Sequence, residues 1–184
     1  MIGAEFPGVL AAAQDGSEAA FAVLWQDCNP ALLRYLRVVA PDSVEDAAAE
    51  TWVTVVRGLS GFRGDEAAWR AWLFTTARRR VADEGRRRAR RPETPLDDGV
   101  AAQLPGLADT ADLALSNISS RAAIAAVANL PPLQAEVIML RVVGGLDYET
   151  VGRLLGRSQG AVRVAAHRGL RRLAELLARA GVTQ

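Results

Sequence analysis

Gln159, Arg163, His167 and Arg171 recur at steps of four residues near the C-terminal end of the chain. On an α-helix that spacing lines up one face. A guanidinium matches guanine and a carboxamide matches adenine in the major groove of duplex DNA, so such a face can read base edges. Its N-terminal residues would reach deepest. Arg168 and Arg172 flank the face and can reach phosphates, which position a helix without reading sequence. His167 is the only histidine and cannot build a histidine-rich metal site; it is read as a groove or phosphate contact. The competing reading is a plain helical hairpin with a solvated basic face.

The elements around this face carry their own signals. Asp147 can cap a short helix that ends at Leu155, and Gly156 suits the left-handed residue that closes it. Ser158 can cap the next helix. A connection of only about three residues forces two helices to cross steeply, as in a DNA-binding helix-turn-helix. Val162, Ala166, Leu170, Leu173 and Leu177 form the expected core stripe of the second helix. Catalysis finds little to build on: one His, one Cys and no Walker-type phosphate loop. No enzyme activity, metal or cofactor is expected.

The chain has 184 residues, half of them hydrophobic, with a formal net charge of +1. That near-neutral total hides segregation. Residues 1–66 carry net −6, residues 67–91 net +7, residues 92–112 net −5 and residues 113–184 net +5. All 22 basic residues are Arg, the side chain that binds phosphate and guanine in bidentate fashion; a GC-rich genome gives the same bias. The alternation suggests two basic surfaces joined by an acidic strap. The lone Cys28 excludes a disulfide scaffold and is read as a buried apolar residue. No apolar run approaches the ~20 residues of a membrane span and no basic-then-apolar leader opens the chain, so a cytoplasmic protein without a membrane span is expected.

Nearly every patterned segment has helical period. Ser17 can cap a helix carrying Phe21, Leu24 and Trp25; Pro30 is expected to kink or restart it. Ser43 can cap the next, with Ala48, Trp52, Val55 and Leu59 at helical steps. Residues 58–66 read as a glycine-punctuated loop, followed by a long helix from Ala67 to about Arg88 with Leu73, Ala77 and Val81 on its buried side. Residues 92–112 hold three Pro and five acids with no stripe and read as a flexible acidic linker. Helical patterning resumes over Leu113–Val127, Leu133–Val143, Tyr148–Leu155 and Gln159–Ala180. The expected fold is all-α: two small helical domains, residues 1–91 and 113–184, joined by the linker 92–112, the second holding the helix-turn-helix.

Three further stretches carry a family resemblance. The segment Val44-Glu45-Asp46-Ala47-Ala48-Ala49-Glu50-Thr51-Trp52 resembles the acidic EDAxxET(F/W) segment of sigma region 2. Phe62-Arg63-Gly64-Asp65 with Arg70-Ala71-Trp72-Leu73-Phe74-Thr75-Thr76-Ala77-Arg78 is similar to its FRG…RAWLFxxAR core. Leu130-Pro131-Pro132-Leu133-Gln134-Ala135-Glu136-Val137, with Tyr148, Gly156, Ser158, Gly160, Val162, His167 and Arg168, resembles sigma region 4. In this order, over about residues 10–91 and 113–178, the chain resembles an extracytoplasmic-function (ECF) sigma factor of the sigma-70 family.

The resemblance implies roles. Asp46 and Glu50, one turn apart, would dock on core RNA polymerase; acids in a helix's first turn also simply offset its dipole. Trp52 and Trp72 are expected in the core, with stacking on DNA the alternative for Trp72. Phe62 and Arg63 would line or support the pocket for an extruded base of the promoter −10 element. Arg78, Arg79 and Asp83 would lie against −10 bases or upstream duplex, and Arg86, Arg87, Arg88, Arg90 and Arg91 would clamp phosphates. Ser158, Gln159, Arg163, His167, Arg168 and Arg171 would bind the −35 element. The acidic strap would thread the polymerase channel, and an anti-sigma factor is an implied partner. The chain departs from the family pattern at Ala49, where Gln is frequent, at Arg79, where Asn is frequent, and at Val164-Ala165-Ala166, where Ser-Arg-Leu is frequent.

Overall fold

The computed structural model describes residues 1–90 and 122–179, with side chains to residue 87 in the first stretch and to residue 178 in the second. The expected linker 92–112, the residues before 122 and the side chains of Arg88, Arg90 and Arg91 lie outside the described residues. Among the described residues every regular element is helical, in keeping with the all-α expectation. Their order is α1 (Phe6–Gln14), α2 (Glu18–Val39), α3 (Val44–Gly58), α4 (Glu66–Arg90), α5 (residues 122–128), α6 (Pro132–Ile138), α7 (Tyr148–Leu155) and α8 (Gln159–Arg179). Helix α6 runs on as a π-helical turn over Met139–Val143.

Local chemistry explains most boundaries. Ser17 accepts from the Ala20 amide at the start of α2, as expected. Ser43 makes no cap bond. It ends a 3-10 turn, Pro41–Ser43, that leads straight into α3, so the chain enters the helix already wound. Pro30 neither kinks nor restarts α2, which is one helix of 22 residues. The missing proline N–H would have bonded the carbonyl of Gln26, and both residues are exposed, so water can serve that carbonyl. Trp25, expected on the buried stripe, is 42% exposed; the stripe runs instead through Leu24, Cys28, Ala31, Leu32 and Tyr35.

The N-terminal core gathers Leu24, Leu32, Tyr35, Leu36, Val55, Trp69, Leu73 and Phe74 from α2, α3 and α4. Trp52 lies in it, as expected, and its indole donates to Asn29 Oδ1 at 2.9 Å. The C-terminal core gathers Val137, Ile138, Leu140, Val151 and Val162. There the expected stripe on α8 is off by one position. Leu170 is 48% exposed, and Gly169 faces α6 in its place. A Cβ on Gly169 would lie 2.8 Å from Ile138 Cδ1, so the missing side chain is what lets α8 approach α6.

The two halves touch. Helix α2 packs on α6 and on the π-helical turn. Four side chains, Tyr35, Arg70, Arg78 and Glu136, stitch the seam. Tyr35 donates to Glu136 Oε1 at 3.0 Å and Arg78 Nε donates to the same oxygen at 2.9 Å. Arg70, only 7% exposed, reaches the Gly144 carbonyl through Nε at 2.9 Å and Asp27 Oδ2 through Nη1 at 3.0 Å.

Candidate nucleic-acid interface

The helix-turn-helix is built as its caps dictate. Asp147 Oδ1 accepts from the Thr150 amide at 2.6 Å, and that bond is the main reason its carboxyl sits below the usual carboxylate range. Helix α7 ends at Gly156, whose φ is +64° and ψ +39°, the left-handed conformation that glycine adopts without a Cβ penalty. Arg157 N then donates to the Gly152 carbonyl at 2.9 Å, satisfying an orphan carbonyl of the last turn. Ser158 Oγ accepts from the Ala161 amide at 3.2 Å and caps α8. Val162, Ala165 and Ala166 turn inward.

On the outer side, Ser158, Gln159, Arg163, His167, Arg168 and Arg171 are all exposed, so the six residues expected to meet DNA there stand along α8 and its cap. Arg171 is paired with Glu175 at 3.3 Å within α8. Arg172 bonds Gln134 at 3.4 Å, which leans it toward α6 and away from the presented face. Tyr148 was quoted only as part of a motif, without a role at this face. Its ring lies 4.1 Å from the Arg141 guanidinium and 5.5 Å from that of Arg163, within cation–π range of both. An aromatic beginning the helix before an Arg-bearing one was the available signal.

A second group forms around the turn between α3 and α4. Phe62 stacks on Trp72 with ring centroids 5.1 Å apart and planes 16° from parallel. It meets Trp69 edge-on at 5.5 Å. Trp72 is half-buried in this cluster, so it is wedged between core and surface. A Cβ on Gly58 would lie 2.8 Å from Trp72 Cζ2; the loop's first glycine therefore makes room for this indole. Gln14 Nε2 ties the loop from behind, donating to the carbonyls of Leu59 and Phe62 at 2.8 and 2.9 Å. Arg63 folds back on the carbonyls of Ser60 and Phe62 at 2.9 and 2.6 Å. It braces the loop while its side chain stays exposed.

Along α4, Arg79 and Asp83 are exposed. Asp83 pairs with Arg86, and Arg87 pairs with Glu84 at 2.9 Å. Arg78 is the exception among the expected DNA contacts, because Glu136 holds it at the seam. On α3, Asp46 and Glu50 are exposed and line one shallow cleft with Arg80 and Val81. Glu50 Oε2 lies 3.9 Å from Arg80 and 3.8 Å from Arg87, at the loose end of ion-pair range. Arg70 was quoted only as part of a motif, yet it is the buried strut of the whole seam. Its place one step before Leu73 and Phe74 on the inner side of α4 was the legible clue. No group of His, Cys, Asp and Glu fit to hold a metal occurs among the described residues, and no described helix is long and apolar enough to cross a membrane.

A capped helix-turn-helix with an Arg-lined outer face, beside a helical half that ends in a basic helix, defines a DNA-binding transcription factor of the all-helical class. Comparison with known proteins places it further. Residues 24–91 match the family described as Sigma-70 region 2, and residues 120–173 match Sigma-70, region 4. The chain is 35% identical over 178 residues to the ECF RNA polymerase sigma factor ShbA of Streptomyces griseus, covering 89% of this chain and 91% of that one. It is 32% identical to the ECF sigma factor BldN of Streptomyces coelicolor, covering 90% of this chain but only 63% of BldN's length. The sigma factor RpoE of Bartonella quintana, solved with the anti-sigma factor NepR, has the same fold at TM-score 0.60 and 24% identity, covering 85% of this chain and 96% of that one. The chain belongs to the ECF sigma factors of the sigma-70 family, the alternative sigma factors of transcription initiation.

Proposed function

We propose that this chain, bound to core RNA polymerase, places α8 on the −35 element and the α3–α4 turn on the −10 element, and opens the duplex there. The observation that carries the reading is the outer face of α8. Ser158, Gln159, Arg163, His167, Arg168 and Arg171 are exposed along α8 and its cap, held by a turn that glycine and two caps fix. Phosphate contacts would position this helix and base-edge contacts would specify the site. In the second group, half-buried Phe62 and Trp72, backed by buried Trp69, offer aromatic surface next to a basic helix, the combination that holds single-stranded DNA by stacking and charge. Arg63, Arg79, Asp83, Arg86 and Arg87 surround or follow it, and Asp46 and Glu50 would meet polymerase.

Each DNA-binding half alone would bind weakly. Polymerase would hold both, so that the second contact forms at high effective concentration. The protein acts in the cytoplasm by binding energy, with no reaction of its own. An anti-sigma protein is proposed as a further partner, by analogy with the complex in which the Bartonella protein was solved. The test is a pull-down with core polymerase followed by permanganate footprinting on a promoter pool. Stoichiometric binding with new thymine reactivity near −10 is expected. A folded chain that ignores polymerase yet binds one duplex site tightly would instead be a stand-alone regulator.

A further inference from the structure

We infer that Val164 is a specificity-determining residue of α8. It meets the 5-methyl group of one thymine in the −35 major groove, and Gly160, one turn before it, leaves room for that base edge. The inference rests on the −35 reading proposed above and adds to it the chemistry of one base position.

Val164 is 49% exposed. Val162 and Ala166, two positions to either side, are buried, and residues two apart on a helix point in nearly opposite directions. Val164 therefore stands on the outer side of α8, among Arg163, His167, Arg168 and Arg171, all of them exposed. The fold gains nothing from a valine there. It lies outside the core, and its β-branched side chain lowers helix propensity relative to alanine.

Gly160 is a second residue that the chain itself does not need. Gly156 takes a positive φ, and a Cβ on Gly152 or on Gly169 would stand 2.8 Å from a neighbouring atom. Gly160 is different: it is helical and exposed, and a Cβ there would meet nothing within 4 Å. Glycine weakens a helix relative to alanine, and one use that repays this is the close approach of the backbone to a ligand. Gly160 and Val164 are four residues apart, so they share one face.

The surroundings name the ligand. Arg163, Arg168 and Arg171 make the border of this face cationic, so its occupant is a polyanion. The apolar spot inside that border fits a polyanion with an apolar group of its own. The major groove of duplex DNA presents one, the thymine 5-methyl. The RNA duplex has a deep, narrow major groove that side chains do not read.

The experiment uses the full-length chain on core polymerase and a promoter that this holoenzyme selects from a random pool. Each thymine of the −35 element, on either strand, is replaced in turn by deoxyuridine. That removes the methyl and leaves every hydrogen-bonding group in place. One replacement should weaken wild-type binding by about two- to fourfold, the worth of one buried methyl. Val164→Ala should lose a similar factor on the thymine promoter and show no further loss on that deoxyuridine promoter. Alanine at an exposed helical position favours the helix, so unfolding does not account for such a loss. Gly160→Ala should melt at a higher temperature than wild type and yet bind the same promoter less tightly. The contact is overturned if no −35 thymine responds, or if Val164→Ala keeps the wild-type response to every replacement. Gly160→Ala binding as tightly as wild type overturns the role of Gly160. A holoenzyme that selects no −35 sequence overturns the proposed function itself, whereas a selected −35 element without these responses overturns this contact alone.

Discussion

Gly152 sits where α7 meets the turn, and a side chain there decides whether α8 keeps its place. Its backbone is helical, so helix propensity alone favours replacement: Val in place of Gly gains about 0.3–0.5 kcal/mol. Space argues the other way. A Cβ on Gly152 would stand 2.8 Å from the Arg157 carbonyl oxygen and 3.6 Å from the Gln159 amide nitrogen. Both are backbone atoms of the turn, which cannot swing aside as a side-chain end can. The two γ-methyl groups of Val add to the crowding, and overpacking of this kind costs about 1–3 kcal/mol. Sterics therefore outweigh propensity, and Gly152→Val should destabilise by about 1–2 kcal/mol. Gly85 in α4 is the control, since a Cβ there meets nothing within 4 Å; Gly85→Ala should stabilise by about 0.5–1 kcal/mol. Urea denaturation of both variants gives the two signs. A mobility-shift assay with the −35 duplex should show a larger loss for Gly152→Val than its stability implies, because the shifted turn carries Ser158 and Gln159 with it. A Gly152→Val protein as stable as wild type, with −35 binding intact, would refute the close-packed turn.

Three further outcomes follow from the same geometry. Arg70→Met strands the Gly144 carbonyl and removes one of the two cations on Asp27, which keeps the Met1 amine at 2.6 Å; the loss should be about 3 kcal/mol, at the low end for a broken buried pair, read by urea denaturation. Burial pushes the Cys28 thiol up to about 11, so the native protein should resist iodoacetamide at pH 8.5 and react promptly once unfolded. Because the folded thiol titrates above the unfolded one, its contribution to stability is complete below about pH 8.5 and declines as pH rises toward 11. Tyr148→Leu should weaken −35 duplex binding by about two- to fivefold through the lost cation–π support of Arg163, while Tyr148→Phe restores it; equal losses in both would assign the effect to the hydroxyl.

What the sequence made legible, and what it hid, divides along the range of the interactions. Asp147, Gly156 and Ser158 act on backbone atoms within a few residues of themselves, so spacing alone located the helix-turn-helix and its outward face. The same local rules misplaced Leu170 and Trp25, because the burial of either depends on which neighbouring helix arrives and how closely. For Leu170 the deciding feature was an absent side chain, Gly169, which a search for apolar residues passes over. Ser43 failed as a cap for a related reason, since the preceding Pro41 had already wound the chain. The seam was the least legible feature. Tyr35, Arg70, Arg78 and Glu136 are separated by up to 101 residues, and each has an ordinary local reading: core aromatic, motif arginine, DNA contact, helix-turn acid. Segment charge was the one available hint, since the strongly basic α4 draws an acid from whatever packs against it.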